Sequence, residues 1–158
     1  MFNIGDVIVY PMHGAGVVKS IEEKEILGEK HKYYTLMLPL RNMKVMIPMN
    51  NADNMGIRNV IGNDGVEKVL TILKESKSEM PDNWNRRYRA NMEKLKSGDI
   101  YEVSAVVRNL VLLDREKGLS TGEKKMLNNA KQILVSELVF ATDFDELKIG
   151  EIIEGSIQ

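Results

Sequence analysis

The chain has 158 residues, of which 43% are apolar and 28% charged, a composition that is ordinary for a soluble globular protein. Its lack of cysteine excludes disulfide bridges and cysteine-bound zinc, and it favours a reducing, cytoplasmic location. No apolar run approaches the roughly 20 residues that cross a bilayer, and Met1–Asp6 does not read as a signal peptide, so we expect no membrane association.

Charge is unevenly distributed along the chain, although the net charge is only −1. Residues 68–132 carry fourteen basic and nine acidic side chains, whereas residues 133–158 carry six acidic side chains and one lysine. A basic block can favour contact with nucleic acid, but this excess over 65 residues produces a weak field. On charge alone, a solvated helical surface is the simpler interpretation.

The first sixty residues predict short β-strands separated by tight turns. Runs rich in β-branched and aromatic residues predict four strands and a possible fifth, at Val7–Tyr10, Gly16–Ile21, Tyr33–Leu38, Lys44–Pro48 and Ile57–Ile61. The charged segment Glu22–Glu29 contains Gly28, which predicts a turn between two strands. Strands of this number and length fit a small SH3-like or Tudor-like β-barrel.

From Gly62 onward, apolar residues recur with the period of an α-helix. Five amphipathic stretches predict helices, and their apolar stripes contain Val66–Leu73, Trp84–Leu95, Ile100–Leu110, Met126–Leu134 and Phe144–Ile153. Ser120 and Glu123 form a capping box before the fourth helix. We therefore predict an α+β protein of two domains, a β-barrel at residues 1–61 and an all-α helical bundle at residues 62–158.

Little in the sequence points to catalysis. Gly14-Ala15-Gly16 lacks the third glycine of a dinucleotide fingerprint, and a strand pattern follows it. The two histidines, His13 and His31, lie in a turn and at a strand start and lack the H-x-x-x-H spacing of a metal site. We expect no catalytic residue, metal site, cofactor or small-molecule substrate, and an enzyme is the weakest of the functional classes.

The single tryptophan has a distinctive setting. Trp84 follows Pro81-Asp82-Asn83, a typical helix start, and Arg86, Arg87 and Arg89 come within the next five residues. Such a helix end can neutralise phosphates and place an exposed indole ring against or between bases. Trp84 is also the first member of the apolar stripe that continues through Tyr88, so the residues alone leave nucleic-acid contact and core packing equally open.

Three segments together resemble the bacterial CarD/CdnL family of RNA polymerase-binding transcription regulators. These segments are Gly5–Val18, Asn83–Leu95 and Arg115–Leu127. The first is less specific, because the transcription-repair coupling factor, a large helicase-like ATPase, shares that module. The resemblance covers nearly the whole chain.

The resemblance implies a division of labour between the two domains. The amino-terminal module would bind the β subunit of RNA polymerase, and the helical domain would contact promoter DNA at the upstream edge of the melted region. The family's minor-groove wedge aligns with Trp84, and neighbouring basic residues of the family align with Arg86 and Arg89. The implied outcome is a stabilised open promoter complex.

The polymerase-binding surface departs from the family pattern at two positions. Lys24 and Met46 stand where members of the family often have arginine, so a bidentate contact is lost at one and the charge at the other. A strand edge near Met46, Ile47 and Pro48 could instead bind through main-chain pairing and apolar burial. The alternative is a protein-interaction adaptor that makes no direct DNA contact.

Overall fold

The structure, a computed structural model of residues 1–158, consists of an antiparallel sheet followed by five helices. The strands are β1 (Val7–Tyr10), β2 (Gly14–Ile26), β3 (Glu29–Leu38), β4 (Met43–Pro48) and β5 (Arg58–Asn59). Their order across the sheet is β4-β3-β2-β1-β5, which leaves β4 and β5 at the two edges. All five predicted strands are present.

The main difference from the predicted elements lies in the charged segment Glu22–Glu29. It forms the end of a long hairpin, because β2 continues to Ile26 and β3 already begins at Glu29. Leu27 and Gly28 both have positive φ, 53° and 80°, as a two-residue type I′ hairpin turn requires. Oppositely charged residues face each other across this hairpin, as in the pair Glu25 and Lys30, so exposed strands form without a core beneath them.

The helices begin soon after β5 and agree with the predicted stretches. They are α1 (Asn63–Lys74), α2 (Trp84–Lys96), α3 (Ile100–Lys117), α4 (Thr121–Ala141) and α5 (Glu146–Ser156). Four of them start at a residue whose side chain accepts a backbone N–H of the first turn, namely Asn83, Asp99, Ser120 and Asp145. Such caps satisfy amides that the helix itself leaves unpaired.

Each half of the chain has its own buried apolar cluster. The cluster in the sheet contains Tyr34, Leu36 and Ile47, and the larger one in the helices is centred on α3 and α4. None of the five helices combines the length and the apolar character that a membrane span needs. The predicted fold class, α+β with a small β-domain followed by a helical bundle, is confirmed.

The sheet and the helical bundle pack directly against each other through β2 and α4. The Ala15 N–H donates to Ser136 Oγ at 2.9 Å, and this hydroxyl donates to the Ile133 carbonyl at 2.7 Å. A Cβ atom on Gly14 would lie 2.5 Å from the same Ser136 oxygen, and Gly14 also has a φ of 99°. Only glycine therefore permits this close approach of strand and helix.

An ion pair with a buried carboxylate also spans the interface. Glu137 of α4 is fully buried, and its two carboxylate oxygens accept hydrogen bonds from Arg58 Nη1 and Nη2, each at 2.7 Å. Arg58 donates further to the Gly98 carbonyl, and the Ile61 N–H donates to Glu137 at 3.0 Å. The sequence interpretation missed this pair, although a lone glutamate inside the apolar stretch of residues 133–140 was a usable signal.

Candidate functional site

The indole of Trp84 lies at the first position of α2, against the start of α4. Its Nε1–H donates to Ser120 Oγ at 2.7 Å, and its ring stacks on Tyr88 with centroids 5.1 Å apart and an interplanar angle of 23°. The side chain nevertheless remains 40% exposed. The indole is therefore held along one edge and still reaches solvent. This setting is intermediate between the two interpretations of the sequence, a free wedge and a core residue.

The capping box predicted from Ser120 and Glu123 forms in the structure and takes part in holding the indole. Ser120 Oγ accepts from the Glu123 N–H and donates to Glu123 Oε1, both at 3.2 Å. A Cβ atom on Gly122 would lie 3.3 Å from Cζ2 of Trp84, so the ring packs closely over this glycine. The first turn of α4 is thus the surface on which the indole rests.

Arg87 has a different environment from the other two arginines of the segment. Its Nε and Nη2 donate to the carboxylate of Glu123 at 2.7 and 3.0 Å, and Nη1 donates to the carbonyls of Pro81 and Asp82. Glu123 is only 2% exposed. The hydrogen bonds from Arg87 lower the pKa of Glu123, so the pair is ionised at neutral pH. This internal pairing assigns Arg87 a scaffold role that the sequence interpretation had not foreseen.

Arg86 and Arg89 are exposed and one helical turn apart, so they are neighbours on the surface of α2. Arg89 makes only a long contact, 3.4 Å, with the carbonyl of Asn85. The guanidinium of Arg86 has no hydrogen-bond partner within the chain. Both groups are therefore available to an anionic partner on the exposed side of α2.

A buried arginine supports the segment that leads into α2. Arg108 of α3 is 2% exposed, and it donates to the carbonyl of Ile72 at 2.8 Å and to Ser78 Oγ at 2.6 Å. The Ser78 N–H donates in turn to Asn109 Oδ1 at 3.0 Å. These contacts tie the end of α1 and the connection before Trp84 to α3. The sequence interpretation missed Arg108, whose signal was a lone cation inside an apolar helical stripe.

The residues predicted to contact polymerase lie on two different faces of the sheet. Lys24 and Met46 are on the same face, because their partners His31 and Thr35 are an even number of residues apart on β3. Pro48 shares this face, two residues beyond Met46 on β4. Lys24 is exposed, whereas Met46 and Pro48 are half-buried.

Ile47 points the opposite way and is fully buried in the core of the sheet. Strand alternation turns its side chain inward, so the predicted polymerase contact of Ile47 is restricted to its main chain. Its main chain, however, belongs to edge strand β4, which pairs with β3 on one side only. The unpaired edge of β4 is available for main-chain pairing with another protein.

Similarity to known proteins covers both halves of the chain. Residues 2–61 match a family model described as "CarD-like/TRCF RID domain", and residues 68–154 match one described as "CarD, C-terminal domain". A Bacillus subtilis (strain 168) protein described as "Putative transcription factor YdeB" is 43% identical over 149 residues, which cover 94% of this chain and 97% of that protein.

A solved structure also matches part of the chain. It is the solution NMR structure of the 72-residue amino-terminal domain of Myxococcus xanthus CarD, which is 30% identical to the matched part. The match covers 37% of this chain and 79% of that one, with a TM-score of 0.33.

The two family models lie side by side and account for most of the chain, in the order that the sequence resemblance implied. The family consists of transcription regulators, not enzymes, which confirms the expectation of a non-enzymatic protein. Its amino-terminal module is an RNA polymerase-interacting domain. The chain therefore belongs to the CarD/CdnL family and is a CarD-like transcription factor that binds RNA polymerase.

Proposed function

We propose that the chain binds the β subunit of RNA polymerase through residues 1–61 and promoter DNA through residues 62–158. Its DNA contact would lie at the upstream edge of the transcription bubble, where Trp84 acts as a minor-groove wedge and stabilises the open complex. The observation that carries this proposal is the setting of Trp84, a 40% exposed indole at a helix start. Arg86 and Arg89 of the same helix are exposed.

Physical chemistry supports the wedge. An apolar ring inserted at a partly unstacked base step stabilises the distorted duplex that the edge of a bubble presents. Stacking of a base on an aromatic side chain contributes roughly 1–3 kcal/mol, about a five- to hundredfold change in an equilibrium. The exposed guanidinium groups of Arg86 and Arg89 can pair with backbone phosphates. The contact requires little readout of base sequence, because it senses shape and melting.

The β subunit contact is supported by the free edge of β4. An extended segment of the partner can pair with the unpaired main chain of Val45–Pro48, while Met46 and Pro48 present half-buried apolar surface on the outer face. Lys24 adds a positive charge on the same face, about 13 Å away along the strand direction. Because neither Lys24 nor Met46 carries a guanidinium group, we expect main-chain pairing to contribute more to binding than charge does.

Tethering explains how a weak DNA contact can be effective. Binding to polymerase converts the DNA contact into an intramolecular event, whose effective concentration reaches the millimolar range for short connections. Here the connection is a packed interface instead of a flexible linker, because α4 contacts β2 directly. The weak DNA contact made by two arginines and one indole is therefore sufficient once the protein is bound to polymerase.

The decisive experiment replaces Trp84 by alanine and by phenylalanine and measures the lifetime of promoter open complexes after competitor challenge. We expect Trp84→Ala to shorten the lifetime that the wild-type protein confers by about five- to hundredfold, with Trp84→Phe intermediate. Circular dichroism and binding to polymerase alone serve as controls and should match the wild type. A folded, polymerase-bound Trp84→Ala protein with an unchanged lifetime would refute the wedge.

A second candidate is an adaptor that connects polymerase to another protein without touching DNA. It is favoured by the internal pairing of Arg87, which leaves only two free arginines near the indole. The affinity for fork-junction DNA against salt concentration separates the two candidates. Phosphate contacts give a steep decrease of log affinity with log salt, whereas an adaptor gives a flat, weak response.

A further inference from the structure

We propose that Ser120 is a positioning residue for Trp84, whose hydroxyl holds the indole in the orientation in which it meets the DNA junction. The capping box that starts α4 would then serve a second purpose beyond stabilising its own helix. This inference rests on the proposed wedge function and assigns it a residue outside the α2 segment.

The hydrogen bonding of Ser120 exceeds what a helix cap needs. A cap requires one accepted backbone N–H, and Ser120 Oγ accepts that of Glu123. The same oxygen also accepts a hydrogen bond from the indole Nε1–H at 2.7 Å, and the hydroxyl donates one to Glu123 Oε1 at 3.2 Å. A hydroxyl has one donor and two acceptor sites, and all three are occupied. The serine is therefore oriented so that a lone pair faces the indole.

The network also ties the two helices together. Glu123 accepts a hydrogen bond from the Ser120 hydroxyl and two from Arg87, which lies on α2 three residues after Trp84. From α2, the indole of Trp84 thus binds Ser120, and Arg87 binds Glu123 at the start of α4. Three groups fix the ring: the Ser120 hydroxyl, the stacked ring of Tyr88 and the close surface of Gly122.

A ring fixed before binding has two advantages as a wedge. Its rotamer is already ordered, so the cost of immobilising it on DNA is reduced, which corresponds to about two- to tenfold in affinity for one large side chain. Its only polar atom is already paired within the protein, so inserting the exposed edge between bases leaves no unsatisfied donor. A free indole would lose both advantages.

The test uses the full-length protein and its single tryptophan as a spectroscopic reporter. Ser120→Gly removes the hydroxyl but retains most of the capping stability, because glycine is well tolerated at this position. We expect its emission to shift to longer wavelength and its quenching by acrylamide to rise. Ser120→Thr keeps a hydroxyl and should restore both signals. On a polymerase–promoter complex, Ser120→Gly should shorten the open-complex lifetime by about two- to tenfold, and Ser120→Thr should restore it.

Asp145→Gly provides the matched control, because Asp145 caps α5 through the Lys148 N–H and has no contact with the indole. It should change neither the fluorescence nor the lifetime. Unchanged emission in Ser120→Gly would overturn the positioning role, and so would altered emission with an unchanged lifetime. If Trp84→Ala itself leaves the lifetime unchanged, the proposed function fails, while the fluorescence of the free protein still decides whether Ser120 holds the ring.

Discussion

At the scale of single residues, the three arginines that follow Trp84 differ in what they can bind. Arg87 is engaged with the buried carboxylate of Glu123, whereas the guanidinium groups of Arg86 and Arg89 face solvent. Sequence spacing groups all three as one basic cluster. The structure separates one structural ion pair from two free cations.

This separation predicts different consequences for the three alanine variants. Arg86→Ala and Arg89→Ala should each reduce the slope of log affinity against log salt for fork-junction DNA by about 1, with unchanged stability. Arg87→Ala should instead lower the free energy of unfolding by about 3 kcal/mol, because it leaves Glu123 buried without its cation. Salt titrations and urea denaturation measure the two effects. An unchanged slope in both exposed variants would contradict their phosphate contacts.

At the scale of elements, the six-residue strand β4 both packs into the core of the sheet and forms one of its free edges. Ile47 packs inward and holds the sheet together, while Met46 and Pro48 point outward. The unpaired main chain lies between these two faces. An edge strand of this kind is a hazard for aggregation unless it is short or covered by a partner.

We therefore expect substitutions on the two faces of β4 to have separable effects. Met46→Glu should weaken binding to the isolated β-subunit lobe about tenfold or more, with an unchanged fold, because it places a charge in an apolar contact. Lys24→Glu on the same face should weaken it less, since exposed charges contribute little. Ile47→Ala should reduce stability by about 2–4 kcal/mol through a core cavity. Pull-down or calorimetry with the lobe measures binding, and denaturation measures stability. Normal binding by both Met46→Glu and Lys24→Glu would place the polymerase contact elsewhere.

At the scale of the whole molecule, the interface between the sheet and the helices fixes the distance from β4 to Trp84. The close contact of Gly14 with Ser136 and the buried pair Arg58–Glu137 join the two halves without a flexible linker. Arg58 also reaches the Gly98 carbonyl at the turn after α2, so the pair links the sheet to the helix that carries Trp84. A rigid connection favours simultaneous binding to polymerase and DNA.

Breaking this connection should affect the joint function more than either binding event alone. Glu137→Gln should lower the free energy of unfolding by about 1–3 kcal/mol, because a buried carboxylate oxygen that accepts from Arg58 is replaced by an amide donor. It should also shorten the open-complex lifetime while leaving affinity for the isolated β-subunit lobe unchanged. Lys131→Gln is the matched control, since it removes a partly exposed ion pair with Glu154 and should cost less than about 1 kcal/mol. A Glu137→Gln protein with wild-type lifetime would show that the interface pair is dispensable.

The sequence by itself determined the elements, the change from β to α near Gly62 and the identity of the candidate indole. Period-2 and period-3.6 patterns, the caps at Asn83 and Ser120, and the turn at Gly28 are local signals, because each depends on residues within one or two turns of chain. The helix start and the arginines around it singled out Trp84, and motif resemblance then led to the family. The exposed hairpin was the one segment where local charge misled, since cross-strand pairs decide strand formation there.

Only the tertiary structure decided which polar side chains pair across long separations in sequence. The pairs Arg87–Glu123 and Arg58–Glu137 join residues 36 and 79 positions apart, and the bond from Trp84 to Ser120 also spans 36. Ile47 was predicted to lie in a polymerase-binding strand edge, and the structure buries its side chain in the core of the sheet. The physical reason is that hydrogen bonds and ion pairs of side chains depend on which elements pack together, and that packing is a property of the whole chain.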